Sequence, residues 1–195
     1  MDRKPLAERL LVLLTGPVGG GKSTVALALA DHLRQSGRAA AVIDLDLVYC
    51  MARQVEGFGE ADTWQTARRG AAALADVFFS SGLEVVVVEG GFFSKEECEG
   101  LRDHLTLNVH ERVVTLDVSY GEALRRAQGD PDPTRVVSRD PHVLQRLHTQ
   151  FVSALPFLKA SSLVLEADRL TPQELARSIA ETVLADVGAG DRTTT

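Results

Sequence analysis

The chain has 195 residues, 45% of them hydrophobic and 25% charged, and carries a formal net charge of -6. A length of this order suits one α/β domain that buries roughly 70% of its unfolded surface, and the composition leaves little room for a long disordered segment. The acidic balance argues against a broad phosphate-tracking surface, so nucleic acid is not an expected partner.

In chain order, the basic start through Lys4 is followed by Glu8 and Arg9, which interrupt any signal-like apolar run. Leu10 to Leu14 reads as a first buried strand, and a helix is expected from Lys22 to Gln35, with Gly37 placed to end it. Ala39 to Ile43 is the second strand. Asp62 is expected to cap a helix that carries Leu74, Val77 and Phe78 towards Ser80-Ser81-Gly82. Val85 to Val88, four β-branched residues in a row, reads as a strand buried on both faces. A short helix over Lys95 to His104 precedes a fourth strand, Arg112 to Val118, and Gly121 to Gln128 opens a helix that Gly129 to Pro133 breaks. Asp140 and Pro141 mark a new helix start, Leu163 to Leu165 is the fifth strand, and Thr171-Pro172-Gln173-Glu174 forms a capping box. Gly188 to Thr195 is expected to fray. Alternation of this kind implies a mainly parallel sheet, covered on both faces, with ligands beyond the carboxyl ends of its strands. The whole chain, 1–195, reads as a single domain.

No apolar stretch approaches the roughly 20 residues that span a bilayer, so no membrane contact is expected. Cys50 and Cys98, the only cysteines, have neither metal-ligand spacing nor the number for a disulfide framework, and a reducing, cytoplasmic setting follows. The five histidines are scattered and read as surface residues; His142 and His148, six apart on one expected helix, point to different faces and make a poor metal pair.

Gly16-Pro17-Val18-Gly19-Gly20-Gly21-Lys22-Ser23 satisfies the pattern G-x-x-x-x-G-K-[ST] between a strand and a helix, the context that makes it a phosphate-binding loop. Gly16, Gly19, Gly20 and Gly21 let the backbone wrap phosphate oxygens, and the helix N-terminus through Thr24 adds its dipole. Lys22 is expected on the terminal phosphates and the Ser23 hydroxyl on Mg²⁺. Asp44 and Asp46 follow the second strand; read as strand, the alternation points both to the ligand side. One would orient a metal-bound water and the other accept the proton of an acceptor hydroxyl, while the bland reading has them capping the next helix. Glu89 leaves the four-valine strand as a carboxylate that must be paired, coordinated or hydrated, on metal or on substrate. Gly90-Gly91 would admit a ligand close to the backbone, and Phe92 and Phe93 read as core rather than pocket wall. Arg125 and Arg126 precede the Gly129 to Pro133 break and Arg135 and Arg139 follow it; by themselves they read as a solvated polar loop.

These features together resemble the small-molecule P-loop kinases, a group that includes shikimate, gluconate and adenylylsulfate kinases and chloramphenicol phosphotransferase. The resemblance runs from about Leu10 to Val183. It implies a three-layer sandwich whose five-stranded parallel sheet has the order 2-3-1-4-5, a Mg·ATP donor, and a hydroxyl-bearing small molecule as acceptor. It implies too that the loop is a mobile lid, over about 125–140, that brings an arginine to the transferred phosphoryl group. It also implies catalytic roles for Lys22, Asp44, Asp46, Arg126 and Arg135, nucleotide contacts from Arg125 and Arg126, and metal contacts from Ser23, Asp44 and Glu89. Ala167-Asp168-Arg169 is similar to the group's adenine-flanking segment. Tyr49 stands where adenylylsulfate kinases carry an arginine, and the arginine set of shikimate kinases has no alignable counterpart, so the acceptor is left open. No guanine-reading N-K-x-D sequence is present, and a phosphate-releasing hydrolase or a binding-only protein is the alternative.

Overall fold

In a computed structural model, residues 9–52, 60–130 and 139–190 are described. Five strands, β1 (Leu10–Thr15), β2 (Ala40–Asp44), β3 (Val85–Glu89), β4 (His110–Asp117) and β5 (Leu163–Glu166), form one sheet. Every pairing is parallel, and the order is β2-β3-β1-β4-β5. Between the strands run α1 (Lys22–Gln35), α2 (Leu45–Ala52), α3 (Glu60–Ser80), α4 (Lys95–Arg102), α5 (Tyr120–Gly129) and α6 (Pro141–Ser161), with α7 (Pro172–Gly190) at the end.

The period of two along the central strands separates two cores. Leu10, Val12 and Leu14 of β1, with Val85 and Val87 of β3, pack against α1 and α7 on one face. Leu11, Leu13, Val86 and Val88 face α3, α4 and Phe92 on the other. Both faces are therefore covered, which is why these strands read as unbroken apolar runs. The face of α3 that packs is built from small residues, Ala67, Ala71, Ala72 and Ala75, ending in Phe79. Leu74 and Val77 are exposed.

Several helix ends are what their sequences dictate. The Asp140 carboxylate accepts from the N–H groups of His142 and Val143, with Pro141 at the first helical position. The Thr171 hydroxyl accepts from the Glu174 N–H while the Glu174 carboxylate takes the Thr171 N–H, a closed capping box.

Other expectations are corrected. The helix expected to be capped by Asp62 already begins at Glu60, so Asp62 lies in its first turn. Backbone helix continues through Gly188 to Gly190, where a frayed tail is expected, and residues 191–195 lie outside the described residues. His148 is not a surface residue: it is buried, its Nε2 lies 2.9 Å from the Val118 carbonyl oxygen, and its ring meets Tyr120 and Phe151 edge-on. Spacing shows only that two residues diverge around a helix axis, whereas the neighbours of α6 decide which face is covered. No helix among the described residues is long and apolar enough to cross a membrane.

Candidate nucleotide and acceptor site

The sheet register builds the floor of the site. Asp44 pairs directly with Glu89, and Glu89 with Leu14, so β1, β2 and β3 end level with one another. The phosphate loop leaves β1 one residue beyond Thr15, and α2 leaves β2 at once. Loop, Asp44 and Glu89 therefore meet at one edge of the sheet, in a cleft of about 1030 Å³ that is ample for a nucleotide and a small partner.

Gly19 adopts φ 76°, and a Cβ there would stand 2.5 Å from the carbonyl oxygen of Ala123 in α5. Only glycine lets the loop pass this close. Gly21 caps α1 without any side-chain hydrogen bond, so the first N–H groups of the helix keep the donor character that anions seek. Lys22 folds over the loop and donates to the carbonyls of Gly16 and Pro17, at 3.1 Å each. Gly19, Gly21, Lys22, Ser23 and Thr24 all line the cleft; Gly16 and Gly20 act through their carbonyls, Gly20 as an acceptor for Arg126.

The aspartate pair is not arranged as strand alternation implies. The strand stops at Asp44 and helix begins at Leu45, which makes Asp46 the second residue of α2. The Asp44 carboxylate accepts the Leu47 N–H at 3.1 Å, so Asp44 also caps α2. Both aspartates nevertheless line the cleft together with Glu89. At Gly90 a Cβ would lie 2.8 Å from Leu45 Cβ, so packing alone already calls for glycine there. Phe92 is fully buried in the core, as expected, whereas Phe93 is half-buried and meets Phe151 edge-on at 5.9 Å.

Glu89 is 2% exposed, and burial pushes its carboxyl up to about 7. The Lys22 ammonium and a hydrogen bond from Ser23 act in the opposite direction, and Asp44 and Asp46 add to the rise. A carboxylate so poised is stabilised by any cation that arrives. Among the described residues no three His, Cys, Asp or Glu side chains converge to hold a metal ion by themselves. The oxygen set of Ser23, Asp44 and Glu89 fits a hard divalent cation whose remaining ligands are phosphate oxygens and water.

The other wall is held by Arg126. Its guanidinium donates to Gly20 O at 2.9 Å, to Ala167 O at 2.7 Å and to the Glu122 carboxylate at 2.6 Å, bridging the phosphate loop to the β5–α7 loop. Arg125 is exposed and bonds to Glu122, whose carboxyl is held down at about 2 by Arg125 first and then Arg126. Asp168 accepts the Ser119 N–H at 2.8 Å and lines the same cleft with Arg169. Arg135 and most of the expected lid, residues 131–138, lie outside the described residues.

Two positioning residues escape the sequence reading. Glu122 sits three and four residues before Arg125 and Arg126, a helical spacing that could have revealed it. Thr15 is buried in β1 and its hydroxyl accepts the Phe92 N–H at 3.1 Å, across 77 positions that no local signal spans.

Phosphate loop, level strand ends and parallel sheet define a nucleotide-binding P-loop fold. The adenylylsulphate kinase family model matches residues 8–104. In fold the chain is similar to a gluconokinase from Sinorhizobium meliloti 1021, at 17% identity and a TM-score of 0.64 over 98% of this chain and 100% of that one. It is similar to shikimate kinase from Acinetobacter baumannii in complex with shikimate, at 20% identity and a TM-score of 0.58 over 90% and 93% of the two chains. The tunicamycin resistance protein of Deinococcus radiodurans follows at 17% identity and a TM-score of 0.59, over 90% and 95%. No curated protein matches it significantly in sequence. Family model and fold agree on the small-molecule P-loop kinase group.

Proposed function

We propose that the chain moves the terminal phosphoryl group of ATP, with Mg²⁺, to a hydroxyl of a small molecule in the cytoplasm, using the whole chain as one domain with a lid over about 125–140. The observation that carries this reading is that the phosphate loop and three carboxylates, Asp44, Asp46 and Glu89, share one cleft. A phosphate-binding site alone needs no such group of anions. A site that must also seat a metal and deprotonate a hydroxyl does.

The α1 N-terminus and the loop N–H groups bind the phosphates, and Lys22 exchanges its two carbonyl partners for phosphate oxygens. Ser23, Asp44 and Glu89 would hold the metal, which supplies positive charge that neutralises the phosphates. Asp46 accepts the acceptor's proton as its oxygen forms the new bond to phosphorus; the bond from phosphorus to the bridging oxygen breaks, and ADP leaves with those electrons. Arg126 keeps the loop in register, and Arg125 and Arg135 are available to charge developing on the transferred group. The shikimate kinase and gluconokinase among the fold relatives favour a hydroxyl acceptor.

The test is ADP release from Mg·ATP against pooled hydroxyl-bearing metabolites and antibiotics, with product mass measured. Stoichiometric ADP and phosphorylated product are expected, and both vanish in folded Lys22→Ala. Release of ADP and free phosphate that no acceptor stimulates would favour the hydrolase alternative instead.

A further inference from the structure

The short helix α2 has two faces. Leu45, Val48 and Tyr49 stand at i, i+3 and i+4 and turn inward: Leu45 is fully buried, and Val48 and Tyr49 pack against the core that α3 shares. Asp46, Leu47 and Cys50 lie on the other arc and line the cleft. The inward seat is supplied by α3. The Tyr49 ring stacks on that of Trp64, with 4.1 Å between centroids and 27° between planes. Further along α3, a Cβ at Gly70 would stand 3.2 Å from Val48 Cγ1, so the two helices also approach closely there.

We propose that Tyr49 and Trp64 are positioning residues: their stack fixes the roll of α2 and with it the place at which Asp46 enters the cleft. The inference rests on the phosphotransfer reading for what Asp46 does, whereas the seat of α2 stands on the packing alone. A helix of 8 residues has little stability of its own in water, so its orientation comes from what it packs on. Leu45 pins the end at which α2 leaves the sheet, and the stack, one turn later on the same face, sets the rotation about that pin. Side chains reach about 5–6 Å from a helix axis, so a roll of about 20° would move the Asp46 carboxylate by about 2 Å. A misplacement of about 1 Å can already cost about 100-fold in rate. Stacked rings suit this task because aromatic pairs have preferred geometries that a plain apolar contact lacks. The phosphate loop is held instead by β1, α1 and Arg126, so nucleotide binding is set apart from the stack.

Trp64 is the only tryptophan in the chain, so its emission reads the stack directly. In Tyr49→Leu the emission should move to longer wavelength, because the indole loses its ring cover and meets water. Tyr49→Phe keeps a ring in place and should emit as wild type does. Hydrogen exchange on the full-length protein gives the seat of α2. The amides of Val48 to Ala52 should exchange at least ~10-fold faster in Tyr49→Leu and in Trp64→Leu, with those of β1 and β3 unchanged. Val77→Ala, at an exposed residue of α3, is the control and should match wild type. Unchanged emission in Tyr49→Leu, or unchanged α2 exchange in the leucine variants, overturns the proposal.

A second arm follows transfer to an acceptor found by ADP release. Each leucine variant should lose at least ~10-fold in kcat while Mg·ATP affinity stays within ~2-fold, and Tyr49→Phe should restore turnover. The variant with both leucines should be no slower than the slower single one, because one stack can be lost only once. Wild-type kcat in the leucine variants, or losses that multiply when they are combined, overturns the positioning role. The two substitutions strike opposite partners, so a single folded variant is enough to judge exchange and kcat. Absence of ADP release by wild type with every acceptor would count against phosphotransfer alone, because emission and exchange judge the seat of α2 without it.

Discussion

Replacing Arg126 with alanine removes a guanidinium that ties three segments together, since it donates to Gly20 O, Ala167 O and Glu122. Its side chain is 23% exposed, so these bonds are only partly screened. A hydrogen bond involving a charged group is worth about 1.5–3 kcal/mol, but Glu122 keeps Arg125, and the freed carbonyls can take water. A net loss of about 2–3 kcal/mol follows, which for a chain of this length is a drop in Tm of roughly 5–10 °C. Because Gly20 belongs to the phosphate loop, nucleotide affinity should also fall by about tenfold, or ~1.4 kcal/mol. Thermal unfolding with and without an ATP analogue measures both effects. The exposed Arg125, replaced by alanine, is the control for stability in the nucleotide-free protein and should stay within ~0.5 kcal/mol of wild type. An Arg126→Ala protein that melts within about 1 °C of wild type, with unchanged nucleotide affinity, would refute the bridging role.

Asp46→Asn should lower turnover while ATP affinity is kept, whereas Asp44→Asn, which preserves the cap on α2, should change the Mg²⁺ dependence; single-turnover rates and metal titrations separate the two. The Glu89 carboxyl, pushed up to about 7 by burial, gives a pH effect of definite sign. Its folded value lies above its ordinary value, so its stabilising contribution is complete below the ordinary value near 4.5 and is lost as pH rises through about 7. Without nucleotide or metal, denaturant unfolding should therefore show about 3 kcal/mol less stability from this group at pH 8 than at pH 4.5; Glu89→Gln should flatten that slope, and an unchanged slope would contradict the assignment. Thr15→Val keeps shape but strands the Phe92 N–H in the core, so it should cost about 1–3 kcal/mol in unfolding experiments. It should also lower turnover, through release of the loop after β3.

Legibility in the sequence divides along the range of the interactions. The phosphate loop, the five strands, the Asp140 cap and the Thr171–Glu174 box could be read directly, because each is encoded within a few residues and enforced by local geometry. Asp44, Asp46 and Glu89 could be selected as candidates because carboxylates at strand ends demand a partner. Their arrangement could be read only in part: capping of the next helix is the alternative reading, and Asp44 does cap α2, but that the helix begins at Leu45 and takes Asp46 into its first turn shows only in the fold.

The sequence by itself determined that this chain builds a parallel α/β sheet with a loop made for phosphates, since apolar periodicity and glycine spacing act over one turn or one strand. Only the tertiary structure decided that Asp44 lies in register with Glu89, that Arg126 joins Gly20 to Ala167, and that His148 of α6 is buried against Val118. Those facts depend on which elements become neighbours. That choice is made by the burial of both sheet faces at once, a property of the assembled core and of no single segment.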